Sequence, residues 1–304
     1  MKQVISISLG SSERDAVTEG YFGDEKVRIE RRGTDGDKEK ARMLFAEYDG
    51  KVDAMGLGGT DLHIFAGGRR YTFRESAALV AGVKKTPVVD GSGLKDSLER
   101  IVVANLAKSG IIDFSKKKVL LVCGVDRFGM AEAIVEAGSD VTFGDLIFGL
   151  GLDLPVKSLK TLASLASLLA PLLTKLPVSW FYPVGKEQTR RAAAYGKYFE
   201  ENDIIAGDFH FIRKHMPDKL PGKYVITNTV TSADREFLRQ AGISCLITTT
   251  PSFAGRSFGT NVLEAVMVAL HGGGKRLTSS DYGILLKKYS IEPTIEFFNI
   301  KGQI

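Results

Sequence analysis

The chain has 304 residues, enough for two domains with separate cores, so neither disulfides nor metals are needed to hold it together. Hydrophobic residues make up 44% and charged residues 25%, which excludes a disordered, collagen-like or coiled-coil chain. Lys and Arg number 41 against 36 Asp and Glu, a net charge of +5 scattered without long blocks, so no nucleic-acid-binding strip is expected.

Cys123 and Cys245 are the only cysteines, each inside an apolar run where a small buried side chain is expected. Four scattered histidines (His63, His210, His215, His271) form no H-x-x-x-H pattern, and no metal site is expected. Met1 to Gly10 is too short and too polar for a signal peptide, which predicts a cytoplasmic protein.

In chain order, Val4 to Leu9 and Lys26 to Arg31 read as strands, and Lys38 to Tyr48 reads as a helix after the polar turn Gly33-Thr34-Asp35-Gly36-Asp37. Val52 to Gly56 is a third strand, running into Gly56 to Asp61. His63 to Phe65 and Arg70 to Phe73 flank Gly67-Gly68 as a hairpin, because paired glycines supply the positive φ such turns require. Thr86 to Asp90 and a helix from Leu94 to Lys108 complete a mixed α/β domain over residues 1–110, which would hold the substrate.

Beyond Lys116-Lys117-Lys118, strand runs recur at Val119 to Gly124, Asp140 to Asp145, Ser179 to Tyr182, Ile204 to Asp208, Tyr224 to Thr229 and Cys245 to Thr250, most of them separated by helical stretches. This predicts a Rossmann-like, doubly wound parallel sheet over residues 111–271, because parallel neighbours need crossover connections. Val156 to Pro177 carries leucines at helical spacing but is broken by Lys157, Lys160, Pro171 and Lys175; a helix in the core or at a homodimer interface is expected there, not a membrane span. Residues 272–304 form a return segment ending in the strand Pro293 to Ile300.

The strand Val119 to Cys123 turns at Gly124 into a helix containing Phe128 and Gly129, and Asp145 lies 21 residues after Gly124. In a dinucleotide fold such a turn offers backbone N–H groups and a helix dipole to the pyrophosphate, while the later acid accepts from the ribose and favours NAD over NADP. Asp126 stands where the G-x-G-x-x-G fingerprint has its second glycine and would repel phosphate. Either Arg127 offsets it, or the crevice takes another ligand or none. Asn228 and Thr229 lie at another strand end and complete the expected cofactor set of Gly124, Asp126, Arg127, Phe128, Gly129 and Asp145. His210 is the best placed histidine for proton transfer, against a packed or surface role, and Asn261 reads equally as a ligand contact or as a helix cap with Glu264. Lys95 with Asp61 or Asp90 could act as a base on a substrate hydroxyl, and turn chemistry alone also explains these residues.

The phrases Ser8-Leu9-Gly10-Ser11-Ser12, Gly33 to Asp37, Val88 to Lys95, Val125 to Ala131 and Gly255 to Asn261 resemble those of bacterial quinate 5-dehydrogenase-like proteins, distant members of the quinate/shikimate dehydrogenase group. That resemblance implies hydride transfer between NAD or NADP and a cyclic hydroxy acid held by the first domain. The V-T-x-P-x-K, N-T-D and G-A-G-G motifs of the shikimate enzymes have no counterpart here. Two other readings stand beside it: a non-catalytic small-molecule or nucleotide-binding regulatory protein, and a transferase or ligase that uses another nucleotide.

Overall fold

A computed structural model of the chain describes residues 1–66, 69–177, 195–253, 256–257, 259–272 and 276–298. The expected strand Ser179 to Tyr182 and the Gly67-Gly68 turn lie outside them. The fold is mixed α/β with mainly parallel sheets, in two compact units: residues 1–98, 167–188 and 253–291 form the first, and residues 99–166, 189–252 and 292–304 the second.

In the first unit five strands pair in the order β2 (Ala16–Phe22), β3 (Glu25–Gly33), β1 (Lys2–Ser8), β4 (Ala54–Gly58) and β7 (Val88–Val89), all parallel except β2. Strand alternation sorts β1 into two faces. Ile5, Ile7 and Leu9 meet Met55, Leu57, Phe45 and Leu79 in one core, under α1 (Lys38–Tyr48) and α2 (Arg74–Val80). Helix α1 starts where Asp37 accepts a hydrogen bond from the Lys40 N–H at 2.9 Å, and it buries Ala41 and Phe45, one turn apart. The hairpin β5 (His63–Ala66) and β6 (Arg69–Thr72) follows β4, and α3 (Ser92–Lys108) follows β7.

Toward the carboxyl ends of β1 and β4 the other face carries small residues, Ser6, Ser8, Gly56 and Gly58, which let α9 (Thr260–His271) approach closely. Asn261 on α9 donates its Nδ2 hydrogen to Ser6 Oγ at 2.8 Å, and the helix-cap reading of Asn261 fails because Gly259 holds the cap position. Helix α10 (Ser279–Lys288) follows, opened by a reciprocal Thr278–Asp281 capping box.

The second unit pairs six strands in the order β15 (Thr294–Phe297), β12 (Cys245–Thr248), β11 (Tyr224–Thr227), β10 (Ile204–Gly207), β8 (Lys118–Leu121) and β9 (Asp140–Phe143), with only β15 antiparallel. Its inner strands are apolar on both faces, as buried parallel strands must be. Leu120, Ile205, Val225 and Leu246 pack with Phe209 and Ile212 of α7 (Phe209–His215) and Leu238 of α8 (Ser232–Ala241), together with Phe199 of α6 (Gly196–Glu200). Helix α4 (Phe128–Glu136) follows β8, and the leucine-rich segment forms α5 (Leu159–Leu173). The short strands β13 (Ser252–Phe253) and β14 (Arg256–Ser257) pair with each other. No helix among the described residues is long and apolar enough to cross a membrane.

The expected domain limits of 1–110, 111–271 and 272–304 need correction. Helix α9, assigned to the Rossmann-like domain, lies on the first sheet, and the last strand pairs with β12 of the second. Both are long-range returns of the chain, which no local change of composition reports. Strand β2 escaped prediction because an edge strand with Glu19 and Gly20 at its centre has no apolar run to mark it.

A methyl group at Gly91, where φ is +95°, would stand 2.6 Å from Thr260 Oγ1 and 2.7 Å from the Asn261 N. Gly91→Ala is therefore expected to destabilise the protein by about 2–4 kcal/mol in urea unfolding. Gly82→Ala, with nothing within 4 Å of the added methyl, should change it by less than about 0.5 kcal/mol.

Candidate functional site

The second sheet reverses its winding between β8 and β10, because the chain leaves β8 for β9 on one side and returns to β10 on the other. Open α/β sheets take ligands beyond the carboxyl ends of the strands at such a point. The residues there are Val122 to Arg127 after β8, Asp208 after β10, and Asn228 and Thr229 after β11.

The turn expected to cradle a diphosphate is closed by the chain itself. Asp145 accepts hydrogen bonds from the Gly124 N–H at 2.9 Å and the Val125 N–H at 2.8 Å, so the carboxylate assigned to a ribose takes the place assigned to phosphate. Desolvation pushes this carboxyl up to about 6, against the downward pull of those two N–H groups. Gly124 serves packing: a methyl there would stand 2.9 Å from both Leu162 and Phe143. Phe128 and Gly129 are buried in the first turn of α4.

Arg127 is 1% exposed and lies at the centre of a charge cluster. Its guanidinium donates to Glu99 of α3 and, at 3.0 Å, to Asp208, and its Nε is 3.8 Å from Asp126. Burial pushes the guanidinium down, but Glu99, Asp208 and Asp126 together outweigh that and hold it well above its ordinary range, so it stays charged. Asn228 donates to Asp208 at 2.9 Å and accepts from the Thr227 hydroxyl at 3.1 Å, tying the ends of β10 and β11. Thr229 faces Thr250, their hydroxyls 3.4 Å apart. His210 is exposed, and its backbone N–H, not its ring, bonds Asp208.

The expected catalytic trio lies in the first unit, and the structure brings only two of the three together. Lys95 Nζ meets Asp61 Oδ1 at 2.9 Å, both buried. Asp90 organises its own turn, accepting from the N–H groups of Leu62 at 2.5 Å and His63 at 2.8 Å and from the Ser92 hydroxyl at 2.6 Å. Close by, Glu264 of α9 accepts from the Gly91 N–H at 2.6 Å and from the Tyr282 hydroxyl. Burial and the nearby Asp90 push its carboxyl up to about 8. Neither Glu99 nor Asp208 stands out in the sequence as a site residue, and Glu264 does so only as part of a cap. The available signal was a carboxylate inside the apolar stripe of a helix, as Glu99 beside Leu98, Val102 and Val103.

Removing Arg127 takes its cation away from the buried Glu99 and the half-buried Asp208. Arg127→Ala should cost about 3–5 kcal/mol of stability, while Glu99→Gln combined with Arg127→Met should cost less than the sum of the two single changes. Calorimetry of the four proteins of this cycle checks it. A second expectation concerns pH. The folded values of Glu264 and Asp145 lie above their ordinary 4.5 and 3.8, so the folded chain keeps protons that the unfolded chain releases. Stability therefore falls with rising pH, between about 4 and 6 through Asp145 and between about 4.5 and 8 through Glu264. Urea midpoints at pH 6 and pH 8.5 should differ less in Glu264→Gln than in the parent chain.

Among curated proteins no sequence match was found. Solved structures similar to this chain include an ABC transporter solute-binding protein from Burkholderia multivorans (12% identity, 97% of this chain and 98% of that chain covered, TM-score 0.36). Others are GanP, a glucose-galactose binding protein from Geobacillus stearothermophilus (8%, 99% and 99%, 0.38), and a hetero-hexameric glutamate dehydrogenase from Thermus thermophilus (11%, 95% and 73%, 0.42). The expected place among quinate 5-dehydrogenase-like proteins, and with it NAD(P)-dependent oxidation of a hydroxy acid, is corrected on two grounds. The family models that match describe two domains of unknown function, and Asp145 closes the turn meant for the diphosphate. Residues 3–90 match the Domain of unknown function (DUF8753), and through residues 93–298, more than half of its length, the chain belongs to the family described as Domain of unknown function (DUF8754).

Proposed function

We propose that this protein is a non-catalytic binder of a small polar molecule, held at the carboxyl ends of the strands in the second unit. The observation that carries the reading is the convergence of Asp126, Asp208, Asn228 and Thr229, all half-buried, beside the switch point between β8 and β10. The buried Arg127 fixes two of these side chains in place. Asp126 and Asp208 both stand within ion-pair distance of that guanidinium, so carboxylate oxygens line this edge. A ligand that donates hydrogen bonds from hydroxyl or amine groups suits such an edge, and a phosphate does not.

Scanning fluorimetry of the purified chain tests the reading. At about 10 mM, one class among neutral monosaccharides, linear polyols and diamines is expected to raise Tm by about 2–4 °C, and Asp126→Asn should reduce that rise. NAD and NADP at the same concentration should leave Tm unchanged. Stabilisation by either dinucleotide, with none by the neutral and cationic probes, would overturn the proposal.

A further inference from the structure

We propose that one face of the β5–β6 hairpin in the first unit binds the phosphate group of a small phosphomonoester. The register pairs His63 with Thr72 and Phe65 with Arg70, and directly opposed residues of an antiparallel pair share a face. His63, Phe65, Arg70 and Thr72 therefore project together, while Ile64, Arg69 and Tyr71 project to the other side. Arg276 joins the first group from the segment after α9, its guanidinium 5.3 Å from the centre of the Phe65 ring.

The chemistry of this face is uniform. Arg70 and Arg276 are both exposed, and among the described residues neither has a carboxylate within salt-bridge distance. His63 Nδ1 lies 3.0 Å from Thr72 Oγ1, leaving the imidazole edge beside a hydroxyl. Asp90 is the carboxylate whose field reaches His63, but its oxygens are taken up by the N–H groups of Leu62, His63 and Ser92 inside the turn. Two exposed guanidinium forks, an imidazole and a hydroxyl are donors suited to a tetrahedral dianion, and guanidinium matches phosphate oxygens in pairs. The stacking of Arg276 on Phe65 holds one fork in place before a ligand arrives, which lowers the entropy lost on binding. The field of Arg70 and Arg276 also opposes protonation of His63 on top of its burial, and a bound dianion would reverse that. This site is independent of the one proposed in the second unit, and it takes ligands of the opposite charge.

The test uses the full chain at low salt, with inorganic phosphate, ribose 5-phosphate, ribose and acetate as probes, followed by calorimetry and by the NMR titration of His63. Both phosphates are expected to saturate and to raise the pH at which His63 protonates, whereas ribose and acetate at equal concentration should do neither. Arg70→Ala and Arg276→Ala should each weaken phosphate binding tenfold or more. Arg69→Ala removes the same charge from the opposite face and should change binding less than twofold. Raising NaCl to about 0.5 M should weaken binding, since exposed charges are screened. Equal losses for Arg69→Ala and Arg70→Ala would reduce the effect to net charge and overturn the proposal. So would equal binding of ribose and ribose 5-phosphate, or no saturation by either phosphate. Failure here leaves the fluorimetric result for the second unit standing, and the reverse also holds.

Discussion

The second unit is organised around one buried guanidinium. Arg127 sits where a strand becomes a helix, and its bonds reach a helix residue, Glu99, and the end of β10, Asp208. A charge this deep needs carboxylates around it, and the buried Glu99 is in turn compensated by the guanidinium. The mutual dependence locks α3, the turn after β8 and the end of β10 into one arrangement. Asn228 extends it by one strand, bonding Asp208 from β11. The polar edge that could meet a ligand is thus the outer rim of an ion cluster that the fold needs for its own sake.

The first unit solves the corresponding problem with small residues. Ser6, Ser8, Gly56 and Gly58 lower one face of the sheet, α9 settles onto it, and Glu264 enters the interior with Gly91 and Tyr282 as partners. A carboxyl group pushed up to about 8 keeps its proton at neutral pH, so the cost of its burial appears as pH rises. The Lys95–Asp61 pair nearby is charged but mutually compensated.

Much of the architecture is legible in the residues, and the reason is burial. Strands covered on both sides must be continuous apolar runs, so β8, β10, β11 and β12 announce themselves, and Asp37 before an Ala41/Phe45 stripe marks α1. What local pattern cannot carry is pairing between distant segments: the return of α9 to the first sheet, the closing of the second by β15, and the edge position of β2. The candidate site was legible as a place and illegible as chemistry. Asp145 stands 21 residues from Gly124, a separation equally suited to a carboxylate that reaches outward to a ribose and to one that folds back onto the turn. Spacing does not distinguish the two; only the direction of the side chain does. Asp126 already pointed toward the second outcome, since a carboxylate in the turn opposes phosphate.

The closure by Asp145 behaves as a tethered competitor. A group carried on the same chain meets its partner at an effective concentration in the millimolar range or above, and here it is held by two backbone donors. A free anion must exceed that local concentration before it can displace the carboxylate. The turn therefore keeps two donors of an anion cradle while its own carboxylate occupies them, and any outside anion competes with a group the chain already supplies.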